Sequence, residues 1–161
     1  MVAAIENELR SWLSYSKKIV IAGIGNPIRS DDYVGLKIVQ DLQGKISKNI
    51  CLLECETVPE SYLLDIEEYN PTNVLLIDSA FLGLDPGETS LLDVEKIVSF
   101  PAVTTHMLPL KVFCEYIQQT TKAKIGLLLV EPESMEFGEN LSPRVEVSAK
   151  WLTKILVSLL R

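Results

Sequence analysis

The sequence predicts a single α/β domain, a three-layer sandwich in which a mostly parallel, twisted sheet carries helices on both faces. Four apolar runs, near residues 19–24, 50–56, 73–78 and 125–130, have the length and composition of strands buried on both sides. Stretches of helical periodicity separate them, which is the pattern of a parallel sheet covered by crossover helices. No linker rich in Pro, Gly or Ser and no internal repeat divides residues 1–161.

Ile5, Leu9, Trp12 and Leu13 recur at i, i+4, i+7 and i+8, so residues 1–16 are expected to form an amphipathic helix packed on the domain. Ile19-Val20-Ile21-Ala22 then runs into Gly23-Ile24-Gly25-Asn26-Pro27, a strand ending in a turn. Val34, Ile38 and Leu42 follow helical spacing and stop near Gly44. After the second strand, Pro59 opens a short helix that Asn70-Pro71 ends. The third strand finishes on Asp78, and Thr89 to Val94 is read as one antiparallel edge strand. Residues 107–119 form a helix through Leu110, Phe113 and Ile117. The last strand leads to Ser142-Pro143, read as the cap and first turn of a C-terminal helix striped by Val145, Ala149, Leu152, Leu156 and Leu159.

Composition narrows the function. With 161 residues, 47% of them hydrophobic, the chain can build a real core. Its net charge of −7 argues against nucleic acid, whose phosphates need clustered Lys and Arg. Glu6 and Glu8 break the pattern of a signal peptide, and Lys150, Lys154 and Arg161 punctuate the run that comes nearest to a membrane span. A cytoplasmic protein without membrane insertion is expected. Cys51, Cys55 and Cys114 sit in apolar settings and are read as core thiols rather than a disulfide frame or metal pair.

Chemistry is expected at the carboxyl ends of the strands, where open α/β sheets bind ligands. Asp31 and Asp32 follow the first strand, Asp78 ends the third, and His106, the one histidine of the chain, precedes a helix. Each has an ordinary alternative: the paired acids suit a helix N-terminus, Asp78 a strand-end turn, and His106 a merely exposed position. Taken together, two carboxylates and an imidazole make an O, O, N set that suits a borderline divalent ion and leaves coordination positions open. Gly23-x-Gly25 also begins like a dinucleotide fingerprint, but Ile28 occupies the third glycine position.

Gly23-Ile24-Gly25-Asn26-Pro27-Ile28-Arg29-Ser30-Asp31-Asp32 resembles the opening motif of the hydrogenase maturation proteases. The likeness continues through Thr57-Val58-Pro59-Glu60, Leu76-Ile77-Asp78-Ser79-Ala80, Thr104-Thr105-His106-Met107-Leu108-Pro109-Leu110, Glu131-Pro132 and Phe137-Gly138-Glu139-Asn140-Leu141-Ser142-Pro143. It spans nearly the whole chain in order, and the Thr-Thr-His-x-x-Pro-Leu form looks most like the formate-hydrogenlyase, or hydrogenase-3, branch. One departure is Tyr33, where the family pattern has glycine; a positive φ there would strain a tyrosine.

The resemblance implies an endopeptidase that trims the C-terminal extension from the precursor of a nickel–iron hydrogenase large subunit. It assigns metal-binding and catalytic roles to Asp32, Asp78 and His106. The nickel is expected to arrive with the substrate, and zinc or cadmium to be able to substitute. Either Asp31 or Asp32 is then a candidate proton acceptor. Glu56 and Glu60 are candidates for supporting the site or lining the substrate groove, with Glu60 equally suited to the start of the short helix. The rival readings are a non-catalytic factor that checks nickel loading and a nucleotide-binding oxidoreductase.

Overall fold

The computed structural model describes residues 2–94 and 107–161. Its sheet contains β1 (Ile19–Ile24), β2 (Cys51–Glu56), β3 (Asn73–Ser79), β4 (Thr89–Asp93) and β5 (Lys124–Val130). The strand order is β2-β1-β3-β5-β4. All neighbours pair in parallel except β4, which runs antiparallel to β5. The four predicted apolar runs are therefore neighbours in one sheet, and the predicted edge strand lies at its edge.

Helices cover both faces. On one face, α1 (Val2–Trp12), α2 (Val34–Leu42) and α5 (Pro143–Leu160) bury their apolar stripes against Ile19, Ile21, Leu75, Ile77, Leu128 and Val130. On the other, α3 (Leu63–Tyr69) and α4 (Met107–Thr120) pack on Val20, Ala22, Val74, Leu76 and Leu127. Adjacent strand residues alternate between the two cores because the side-chain period of a strand is two. This division explains why the strand sequences read as continuous apolar runs. The seam of α1 is the predicted one: Ile5, Leu9 and Trp12 are buried, and each stabilises the domain by roughly 1.5–3 kcal/mol.

The order of strands sets the location of the site. From β1 the chain moves to β2 on one side, then crosses back through α3 to β3 on the other. The carboxyl ends of β1 and β3 thus flank a topological switch point, where the connections diverge and leave a crevice. Two glycines bring α2 close to it. A Cβ on Gly35 would lie 2.0 Å from the Ile77 carbonyl oxygen and 2.4 Å from that of Ile24, so only glycine lets the first turn of α2 rest on both strand ends. Gly25, with φ at +151°, turns the chain so tightly that a Cβ would stand 2.0 Å from the Asp32 carbonyl oxygen.

Tyr33 causes no strain. It occupies the right-handed helical region at φ −72°, ψ −15°, because Ser30–Tyr33 forms a 3-10 turn that leads directly into α2. The demand for glycine falls on Gly35 instead. The Tyr33 hydroxyl donates to Gln40, whose amide nitrogen donates 3.0 Å to Glu54 beside the sheet.

Candidate active site

The loop after β1 is shaped by its own sequence. Asn26 Oδ1 accepts from the Ile28 amide at 3.1 Å, an Asx turn, and the Asn26 carbonyl accepts from Arg29 N at 3.1 Å. Ser30, at φ +51°, then reverses the chain into the 3-10 turn that holds Asp31 and Asp32. Two adjacent carboxylates are buried there, and they do different things.

Asp31 is 0% exposed and engages four donors. Its Oδ2 accepts from Glu133 N at 2.9 Å, Ser134 N at 3.0 Å and Ser142 Oγ at 2.6 Å, while Oδ1 accepts from Ser142 N at 2.7 Å. Those donors satisfy the charge and occupy its lone pairs, as a structural carboxylate requires. Asp31 therefore ties the loop after β5 and the start of α5 to the loop after β1. Of the two acids, Asp31 clamps these loops, and Asp32 is the one turned toward β3. Ser142 stands at the predicted N-cap of α5, but its hydroxyl makes no capping hydrogen bond. It is drawn to Asp31 because a carboxylate is a stronger acceptor than the competing local arrangement.

Asp32 is 3% exposed. Its Oδ2 accepts from Asn26 N at 3.1 Å, and its Oδ1 lies 3.5 Å from the Ser79 hydroxyl, a long contact. Asp78 is 0% exposed, and its Oδ1 accepts from Ser79 N at 2.8 Å. Ser79 thus touches both acids, so the structure brings Asp32 and Asp78 to one place at the switch point. Asp78 lies within β3, one residue before its end, where the sequence put the close of the strand, and both carboxylates are buried. The Met135 sulfur stands 3.8 Å from Ser79 Oγ.

His106 lies outside the described residues, and among those residues no group of three His, Cys, Asp or Glu is placed to hold a metal ion. The two acids supply hard oxygen donors, which fit a divalent ion only with further ligands. Glu56 and Glu60 are exposed. Glu56 ends β2 at φ +52°, where its carbonyl accepts from Gly25 N at 2.7 Å; the backbone of Glu56, rather than its carboxylate, contacts the loop after β1.

Sequence reading assigned no role to three residues that build this region. Ser79 was visible only as the residue after Asp78. Glu131 is buried, and its Oε1 accepts from Leu82 N at 2.7 Å and Leu84 N at 3.2 Å, which shapes the loop after β3. Met135 gave no sequence signal at all. A lone acid directly after an apolar strand was the available clue for Glu131, since a charge there needs donors if buried.

The likeness to known proteins runs over most of the chain. The family model described as hydrogenase maturation protease matches residues 36–159, a span that contains Asp78 and begins just after Asp32. A Methanocaldococcus jannaschii protein carried under the provisional name of a hydrogenase maturation protease is 31% identical over 156 residues, covering 92% of this chain and 91% of the relative. The hydrogenase 3 maturation protease of Escherichia coli K12 is 25% identical over 118 residues, or 73% of this chain and 75% of that one. Among solved structures, a NiFe hydrogenase maturation protease from Thermococcus kodakarensis KOD1 superposes with a TM-score of 0.88 at 30% identity. It covers 95% of this chain and 98% of that chain.

Proposed function

Because this chain belongs to the hydrogenase maturation protease family, we propose that it removes the C-terminal extension from the large-subunit precursor of a nickel–iron hydrogenase. The activity of the family is that of a hydrolase, an endopeptidase, and this reading extends it to a nickel-loaded substrate. The observation that carries it is the meeting of Asp32 and Asp78 at Ser79 on the switch point between β1 and β3. Both carboxylates are buried at the carboxyl ends of the strands, where an open α/β sheet binds its ligands. With His106 as the third donor, they form an O, O, N set for the nickel that the precursor carries, and zinc or cadmium can take its place in vitro.

In this reading the ion supplies positive charge where the peptide bond is cut. Asp32 and Asp78 would orient the substrate through it, and Asp32, whose Oδ2 accepts from the Asn26 amide, would take a proton from the attacking water. Asp31 is already satisfied by four donors and holds the loops. No helix among the described residues is long and apolar enough to cross a membrane, which is compatible with work in the cytoplasm, where we place the reaction.

The test is incubation of purified enzyme with nickel-loaded and nickel-free precursor, followed by mass measurement of the large subunit. Loss of the tail from the loaded form alone is the expected result. An unchanged mass in both forms sinks the protease reading and favours a factor that only checks nickel. Equal cleavage of both, with metal rigorously excluded from the second, sinks the role of nickel and leaves the protease.

A further inference from the structure

Exposed large apolar side chains are unevenly placed. Of the nine among the described residues, five (Ile28, Val58, Phe81, Leu84 and Phe137) lie on loops that follow the carboxyl ends of β1, β2, β3 and β5. That is the end of the sheet where Asp32 and Asp78 meet. The two most exposed of the five adjoin each other. Gly138 N donates to the Ile28 carbonyl at 2.9 Å, and the Arg29 guanidinium lies 5.3 Å from the centre of the Phe137 ring. Ile28 is 52% exposed and Phe137 80% exposed.

These side chains are held out rather than left loose. Arg29 Nε donates to the Met135 carbonyl at 3.2 Å, Ser30 Oγ donates to the Glu136 carbonyl at 2.7 Å, and the Asp31 clamp fixes both loops from beneath. A rigid loop pair displaying an aromatic and a branched aliphatic residue binds with little loss of conformational freedom. Charge adds a second character. The segments 25–33, 57–62, 80–88 and 131–142 contain one basic residue, Arg29, against many acids. Glu60, Asp85, Glu133, Glu136 and Glu139 among them are exposed.

We propose that Ile28 and Phe137, with Phe81 on the loop after β3 and an acidic rim that includes Glu136 and Glu139, form the docking surface for the folded large-subunit precursor, which meets it with an apolar patch bordered by basic residues. This inference rests on the proposed protease function and adds where and by what chemistry the substrate is gripped. The apolar centre supplies the holding contact, and the acidic rim attracts the basic border and sets its orientation.

The test uses a precursor that the wild-type enzyme cleaves, with KM and kcat measured from the rate of tail loss. The double variant Ile28→Ser/Phe137→Ser should raise KM about ten-fold or more and keep kcat within about two-fold, the signature of lost docking rather than lost chemistry. Leu64→Ser/Val112→Ser removes a similar exposed apolar pair from α3 and α4 and should leave both constants unchanged. Glu136→Lys/Glu139→Lys should raise KM at low salt and flatten its salt dependence. A KM for Ile28→Ser/Phe137→Ser equal to wild type overturns the docking surface and leaves the protease reading standing. An equal rise in the control pair also overturns it, because the effect then lacks a location. Retained salt dependence in the charge-reversed variant overturns the basic border. Failure of the wild-type enzyme to cleave any precursor, by contrast, overturns the protease reading itself.

Discussion

Asp31 and Ser142, 111 positions apart, are joined by two hydrogen bonds, 2.7 Å from the Ser142 amide and 2.6 Å from its hydroxyl. Together with the amides of Glu133 and Ser134, this contact closes the loop after β5 onto the loop after β1. Replacing Asp31 by alanine leaves three part-buried backbone donors without their acceptor. Each such group costs about 1–3 kcal/mol, so the total loss should reach about 3 kcal/mol or more. For a domain of this size that is a fall in Tm of roughly 6–12 °C, measurable by thermal unfolding. Asp31→Asn keeps the shape and one acceptor oxygen and should fall between. A melting curve unchanged in Asp31→Ala disproves the clamp.

Asp32 and Asp78 should behave differently from Asp31. Both are expected to act on the substrate's ion, so Asp32→Asn and Asp78→Asn should each slow tail removal by ~100-fold or more, since a neutral amide no longer balances the charge. Asparagine is the better probe because Asp78 is buried inside β3, where truncation to alanine leaves a hole as well as removing the charge. Combining the two should cost little more than either alone, as residues acting as one unit are not additive. His106→Ala belongs to the same set. Wild-type cleavage rates in the asparagine variants, with circular dichroism confirming the fold, remove these residues from the mechanism.

Sequence alone located the strands because burial on both faces leaves an unmistakable mark, an apolar run such as Val74-Leu75-Leu76-Ile77 with no alternation. It also placed Asp32 and Asp78 at one sheet end, since Asp32 lies in the loop after one strand and Asp78 near the end of another. What it could not separate was Asp31 from Asp32. Adjacent identical side chains differ only in what surrounds them, and the partners of Asp31 lie more than a hundred residues away. Ser142 stands at the helix cap as its local context suggests, but a distant carboxylate, invisible in that context, claims its hydroxyl. Tyr33 looked strained because the family pattern was taken to place the glycine requirement beside the acids. Close approach of α2 to the backbone of β1 and β3 puts it at Gly35.

Gly35 gives a prediction of its own. A Cβ there would stand 2.0 Å and 2.4 Å from two backbone carbonyl oxygens, which cannot swing aside as a side chain can. Gly35→Ala should destabilise the domain by about 2 kcal/mol or more and disturb the site, because α2 and the ends of β1 and β3 must part. Gly44 offers the comparison. Its φ of +76° strains alanine, yet nothing lies within 4 Å of its Cβ position, so Gly44→Ala should cost only about 1 kcal/mol and leave processing intact. Denaturant midpoints for the pair decide it; equal losses in both would show that close packing at Gly35 is unimportant.

The cysteines provide a test of the core reading by chemistry instead of mutation. Cys51 and Cys55 lie on one strand with three residues between them, so their Cα atoms are about 13 Å apart at the strand rise. That is well beyond the ~7 Å reach of a disulfide, and the pair cannot be a redox switch without unfolding β2. Burial pushes the Cys55 and Cys114 thiols up to about 12, while half-buried Cys51 is raised by the same cause. The thiolate is the reactive form. At pH 8 a thiol reagent should therefore modify Cys51 first and reach Cys55 and Cys114 only when denaturant opens the domain. The same shifts couple stability to pH. A thiol whose pKa is raised on folding stays protonated in the native state while the unfolded chain ionises. Its contribution is complete below the unfolded value near 9 and is lost as pH rises through the folded value near 12. Across that window stability should fall as pH rises, and replacing both with alanine should flatten this part of the curve. Rapid native labelling of Cys55 and Cys114 would show that the second core, between the sheet and α3 and α4, is open to solvent.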